Sequence, residues 1–229
     1  MYTIADSLKE NLFGTLGYSL NDDDFDNPAY IYSYIIAKNV PTDPAITEFF
    51  KKAIKEAADR NIAELRSHPY PVGNNSGEGG WGHNVRQNHY ACAPLLYWSL
   101  SKEQNYLDAA SELLDYKLGL NPLGISYVTG LGFYSVTNPH DRESAYTIYI
   151  KDWGPKPGIT VFGPGIPGRR RAGFKTEPDV LKLAKERQYI DDIDIISFNE
   201  FTIFETMVHD AFYTVLAMVE NGMAENHLR

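Results

Sequence analysis

The chain is poor in cysteine, in long apolar runs and in positive charge. Its single cysteine, Cys92, rules out an intrachain disulfide, so the fold must rest on packing. Cys92 lies within an apolar run and reads as a core thiol. No stretch reaches the ~18 consecutive apolar residues of a membrane-spanning helix. The opening residues, MYTIADSLKENL, lack the basic and apolar regions of a secretory signal. A leader would lie upstream if the chain begins inside a longer protein, so location stays open. Lys and Arg number 21 against 30 Asp and Glu, a formal net charge of −9, which argues against a partner with a phosphate backbone. The one basic run, Arg169-Arg170-Arg171, reads as a solvated loop or an intrachain partner for carboxylates. There is no low-complexity linker, no EF-hand spacing and no clear carboxylate cluster, so neither metal nor cofactor is expected.

What is present is an ordinary globular balance, 43% hydrophobic and 22% charged over 229 residues, enough for one domain or a large piece of a bigger one. The apolar spacing is helical. Ile4, Leu8 and Leu12 suggest a short opening helix, and Ala29 to Lys38 a second, with Pro28 at its first turn. After a break at Pro41, Thr42 or Asp43 caps the clearest helix, in which Ile46, Phe49, Phe50, Ala53, Ile54, Ala57, Ala58, Ile62 and Leu65 keep a rhythm of threes and fours. Helices from about Val85 to Leu100 and from Gln104 to Leu118 form a hairpin. Gly119 falls where the second should end in positive φ. Further on, the rhythm vanishes from Glu143 to about Glu177, where Ile159 to Phe162 reads as a short strand. So long an irregular segment in a compact domain usually belongs to a functional site or lid. A helix over Pro178 to Gln188 and a strong one over Phe201 to Asn221 close the chain.

Three loops carry the chemistry. The first, His68 to Asn84, holds five glycines and two prolines around Trp81. That ring is either a platform for the C–H face of a sugar or a plug at the end of a helix bundle. The second is LGLNPLGISYVTGLGFYSVTNPHDR, Leu118 to Arg142. Its Gly130 and Gly132 suit a close approach of backbone to ligand, and His140 and Arg142 offer a titratable ring and a fixed donor fork to a polar substrate. The third sets Tyr189 and Asp191 ahead of Glu200 and Thr202. On the residues alone, Glu200 reads as a solvated carboxylate at a helix N-terminus and Asp191 as a cap.

The second and third stretches resemble the two signatures of glycoside hydrolase family nine, the family of many cellulases and some exo-acting glucosaminidases. Ser126, Val128, Thr129, Gly132, Pro139, His140 and Arg142 fall on the first in register, with Tyr134 replacing a basic or amide side chain. Tyr189, Asp191, Glu200 and Thr202 fall on the second, with Ile196, Thr206 and Met207 departing from it. Pro69, Tyr70, Trp81, Gly82 and Asn84 are similar to a further family segment.

The resemblance implies an all-α fold, part of an (α/α)6 barrel of helical hairpins with long loops on the active-site face. It also implies that residues 1–229 are the C-terminal part of a catalytic domain whose N-terminal part is missing. It makes Glu200 the general acid of an inverting hydrolysis of β-1,4-linked glucan or glucosamine-containing saccharides, with Asp191 as a second catalytic residue. His140, Arg142, Trp81 and Tyr127 become substrate-binding residues. Phe198, Phe201 and Phe204 would set an apolar environment around Glu200 and Asn199 would orient it, while Glu205 belongs to a helix surface or an internal salt link. The expected partners are an oligo- or polysaccharide and the missing half, or a second copy of the chain; nucleic acid and membrane are not expected. Secretion or a periplasmic location would follow from the family.

The family's Asp-x-Gly-Asp motif, whose carboxylates activate water, does not occur in the chain, and Asp22-Asp23-Asp24 lacks its glycine. The isolated chain is therefore expected to be nearly inactive. The alternative is a helical module derived from such an enzyme that binds carbohydrate without cleaving it.

Overall fold

The computed structural model describes residues 26–72, 83–165 and 180–202. The expected opening helix, Trp81, Arg169 to Arg171 and the expected helix from Phe201 to Asn221, with Phe204 and Glu205, lie wholly or mainly outside them. Among the described residues the protein is all-α, with no β-strand and no helix long and apolar enough to cross a membrane.

Four helices open the described chain: α1 (Asp26–Ile36), α2 (Pro44–Ser67), α3 (His83–Ser101) and α4 (Gln104–Asp115). The Asp43 carboxylate caps α2 by accepting from the Ala45 N–H at 2.7 Å and the Ile46 N–H at 3.3 Å, and Pro44 occupies the first turn, where no N–H is missed. At its other end His68 is extended (φ −113, ψ 153), the conformation a following proline, here Pro69, imposes. The α2 stripe Ile46, Phe50, Ile54, Ala57, Ala58 and Leu65 is buried against Tyr90, Leu95 and Trp98 of α3 and Tyr106, Leu113 and Leu114 of α4. Its solvent face carries ion pairs one turn apart, Lys55–Asp59 at 2.7 Å among them. Cys92 is buried in this core, and burial pushes its thiol well above the ordinary range.

One polar residue interrupts the α2 stripe for a reason that lies on α3. Pro94, inside α3, has no N–H, so the carbonyl four residues back, on Tyr90, loses its helical partner. Asn61 of α2, 2% exposed, supplies the replacement: its Nδ2 donates to the Tyr90 carbonyl at 2.9 Å. Each residue explains the other.

The α3–α4 hairpin turns at Lys102, whose φ of 61 is rare for a residue with a Cβ, and whose ammonium sits 4.5 Å from the centre of the Trp98 ring. α4 tightens into a 3-10 turn, Tyr116–Leu118, and Gly119 then takes φ 124, as its place after the apolar run predicts.

Beyond Gly119 a second core forms beneath loops, from Val72, Tyr116, Tyr127, Val136, Ile159, Val161, Tyr189, Ile195 and Phe198. Two expectations fail here and one element is new. The predicted helix over Pro178 to Gln188 is, in its described part, two single 3-10 turns, Val180–Lys182 and Lys185–Arg187. Four of the residues from Lys182 to Arg187 are charged and Leu183 is 36% exposed, so no apolar face exists to hold a longer helix.

Ile159 to Phe162 is not a strand: its bridge to Val128 at Thr160 stands alone, because successive residues bond to different parts of the chain. The new element is α5 (Arg142–Tyr149), within the segment expected to be irregular. Asp141 caps it by accepting from the Ser144 N–H at 2.7 Å, and Ser144 is its only buried residue, so hydrophobic periodicity could not announce it. The last described helix, α6 (Ile196–Asn199), is a single turn.

Candidate active site

The segment 159–163 ties the site together. The Ile159 carbonyl accepts from the Thr129 N–H at 2.9 Å, and the Val161 N–H donates to the Tyr127 carbonyl at 3.0 Å. Phe162 then reaches two ways, its N–H to the Glu200 carbonyl at 2.9 Å and its carbonyl to the Asn84 N–H at 2.9 Å. The buried Asn84 side chain also donates to the Val161 carbonyl at 3.0 Å. A Cβ on Gly163 would lie 2.1 Å from Asn84 Nδ2, and its φ is 75, so only glycine lets the start of α3 close on this segment. Gly130 serves a similar purpose, since its Cβ would stand 3.1 Å from Pro157. The close approach expected there is thus to the chain itself.

His140 is held by two bonds to the 193–199 region. Its N–H donates to the Asn199 carbonyl at 2.7 Å, and Nδ1 lies 2.7 Å from the Ile193 carbonyl. A carbonyl can only accept, so Nδ1 carries the hydrogen and Nε2 is the ring nitrogen left to meet a ligand. The loop just before His140 is set by Asp191. One carboxylate oxygen accepts from the Thr137 N–H and hydroxyl, each at 2.7 Å, and the other from the Asn138 N–H at 2.9 Å. Asp191, expected as a catalytic residue, therefore spends its carboxylate on clamping this loop.

Glu200 follows α6 in extended conformation (φ −67, ψ 158) and is half-buried. Its backbone is fixed from both sides, its N–H donating to the Ile196 carbonyl and its carbonyl accepting from Phe162, each at 2.9 Å. Among the described residues its carboxylate has no hydrogen-bond or ion-pair partner. Asn199 does not orient that carboxylate. Buried, it accepts from the Tyr189 hydroxyl at 2.6 Å and donates to the carbonyls of Ile190 at 2.8 Å and Asp192 at 2.7 Å, which closes the 189–195 loop on itself. Phe198 is buried beside Tyr189, their rings 5.8 Å apart, behind the site.

Tyr127 is the clear correction. Expected to contact substrate, it is 0% exposed, stacked 6.4 Å from Tyr116 and edge-on 5.3 Å from Tyr189. Among the described residues its hydroxyl finds no hydrogen-bond partner, and burial pushes its pKa well up. It is a core ring that supports the loop.

His140 and Arg142 line one open pocket of about 520 Å³ with Asp141, Ala145, Tyr149, Ile193 and Asp194. Glu200 is not among the lining residues; it is the next residue after the Asn199 that accepts from His140. Sequence reasoning missed Tyr149 and the Ile193–Asp194 wall, because α5 was unannounced and the 191–195 loop carries no periodic signal. No group of three His, Cys, Asp or Glu among the described residues is disposed to hold a metal ion.

Comparison with known proteins identifies relatives of the chain. The chain is 31% identical over 150 residues to Endoglucanase D of Acetivibrio thermocellus, covering 64% of this chain and 23% of that protein. It is 32% identical over 164 residues to the xyloglucan-specific endo-beta-1,4-glucanase BoGH9A of Bacteroides ovatus, covering 70% and 26%. It thus spans about a quarter of the length of these curated relatives. Among solved structures, a metagenome-derived glycoside hydrolase family 9 endoglucanase superposes with a TM-score of 0.71 at 27% identity, over 91% of this chain and 36% of that one. The family model described as "Glycosyl hydrolase family 9" matches residues 10–206, most of the chain, and the protein belongs to that family.

Proposed function

We propose that this chain is the C-terminal part of an inverting glycoside hydrolase domain that cleaves β-1,4-linked glucan or glucosamine-containing saccharides, with Glu200 as general acid. The observation that carries the reading is the half-buried Glu200 carboxylate, unengaged among the described residues, on a backbone bonded to Phe162 and one residue from the anchor of His140. A glycosidic oxygen leaves poorly unless it is protonated as the bond breaks, and a carboxylic acid held beside it does this. Arg142 and the Nε2 of His140 would hold sugar hydroxyls in the adjoining pocket. Asp191 would act as a positioning residue, fixing the loop that carries His140. The relatives named as endo-acting glucanases support a β-1,4-glucan over an amino sugar.

The base would come from the part of the domain this chain does not span. An inverting site sets its two carboxyls roughly 6.5–9.5 Å apart, with water between the base and the anomeric carbon. The same division makes the chain part of an (α/α)6 barrel that associates with the remainder or with a second copy, and Trp81, outside the described residues, would be a stacking ring on the strength of its sequence setting. Replacing Glu200 by Gln in the full-length parent should abolish turnover of cello-oligosaccharides, whereas the lone 229-residue chain should be nearly inactive on aryl glycosides. Undiminished turnover by the Glu200→Gln parent would refute the assignment of the acid. Robust turnover by the lone chain would refute the division of acid and base. The absence of Asp-x-Gly-Asp favours one other reading, a module that binds sugar without cleaving it. A parent that binds cello-oligosaccharides but never turns them over would select that reading.

A further inference from the structure

Helix α5 turns an unusual face toward the pocket. Arg142, Ala145 and Tyr149 are three and four residues apart, the spacing that aligns side chains along one side of a helix, and all three line the cavity of about 520 Å³. This is not the packing face, since Ser144 is the only residue α5 buries. Tyr149 is 61% exposed, so its ring supports no core. Between the guanidinium of Arg142 and the phenol of Tyr149, Ala145 contributes only a methyl group and leaves a gap between the two longer side chains. Ile193 and Asp194 also line the cavity.

The lining carries no positive excess. Asp141 and Asp194 outnumber the one guanidinium, Arg142, so a carboxylated or sulfated sugar finds no surplus of positive charge to bind. Neutral hydroxyl-rich rings are the better match. The axial C–H face of such a ring is weakly positive and apolar, and it sits well on the electron-rich face of an aromatic side chain. Hydroxyls at the ring edge then reach the polar groups at either end.

We propose that Tyr149 is the stacking platform, and Ala145 the floor, of a subsite for one neutral pyranose ring. This rests on the reading of the pocket as a saccharide site and adds to it two specificity-determining residues. Arg142 and Asp194 would fix the ring's orientation, and the size of residue 145 would set how deeply it enters.

The test is calorimetric titration of the 229-residue chain with cellotetraose, and with an oligogalacturonate of equal length as the acidic control. Tyr149→Phe should bind cellotetraose within about twofold of wild type and Tyr149→Ala about tenfold more weakly, ~1.4 kcal/mol. Ala145→Leu, which favours helix and fills the gap, should abolish binding with an unchanged circular dichroism spectrum. Wild-type affinity in both Tyr149→Ala and Ala145→Leu would overturn the proposal, as would tighter binding of the acidic control or no binding of cellotetraose by the wild type. A change of oligomeric state in Tyr149→Ala without loss of sugar affinity would overturn it too, making the face a protein interface. The two readings separate cleanly. Loss of turnover in the Glu200→Gln parent alongside unchanged binding by the Tyr149 and Ala145 variants leaves the acid in place and removes only the platform.

Discussion

Asp191 shows how one carboxylate can fix a loop through several donors at once. Its two oxygens accept three bonds from Thr137 and Asn138, two residues ahead of the His140 backbone bond to Asn199. Asp191→Asn keeps the shape but turns an N–H₂ toward a donor, so at least one bond is lost, at a cost of ~1–3 kcal/mol. We expect a lower urea midpoint and, in the parent, a fall in kcat/KM with an unshifted pH profile, since the loop is loosened while the acid is untouched. A displaced profile would mean that Asp191 itself exchanges protons with substrate. Residues of this kind are half legible in sequence. The spacing of Asp191 and Glu200 drew attention to both, yet it could not say which carboxylate is consumed by backbone donors. Tyr127 was misread for a related reason. An aromatic in a glycine-rich loop looks exposed until Val161 and Tyr189, distant in sequence, are seen to close over it. Asn199 likewise appeared to be Glu200's neighbour and proved to be the lock of a loop.

At the scale of elements, legibility follows burial. α2 announces itself because seven buried positions recur on one face, with Asp43 and Pro44 at its start. α5 buries only Ser144 and stayed hidden, although Asp141 as a cap with Glu143 in the first turn is a helix-start signal in its own right. The predicted helix near Lys182 to Arg187 failed from the opposite cause, good propensity with no face to bury. The pairing of α2 with α3 depends on a helix breaker and its remedy. Asn61→Ala removes the side-chain donor to the Tyr90 carbonyl and should cost ~1–3 kcal/mol, read from denaturant unfolding. Pro94→Ala restores an N–H to that carbonyl. In the double variant the Asn61 substitution should therefore cost clearly less than it does alone. Additivity of the two changes would show that the carbonyl never depended on Asn61.

At the scale of the whole molecule, the two apolar clusters share no residue among those described. One joins α1 to α4, and the other lies under the loops that carry His140 and Glu200. Tyr116, in the 3-10 turn after α4, and Asn84, at the start of α3, are where the helical layer meets the looped one. Such a division predicts two tiers of protection from solvent. Amide hydrogens of α2 and α4 should exchange with deuterium only on global unfolding, with those of His140, Phe162 and Gly163 released earlier by openings confined to the looped tier. Native-state exchange in rising denaturant would resolve the tiers as separate isotherms, and a single merged isotherm would deny the division. A molecule built this way breathes at its site while its scaffold stays shut. Where the tiers open separately, the looped one can rearrange at a cost smaller than the stability of the protein, and how far it yields is set by Asn84, Gly163 and the small joint they form.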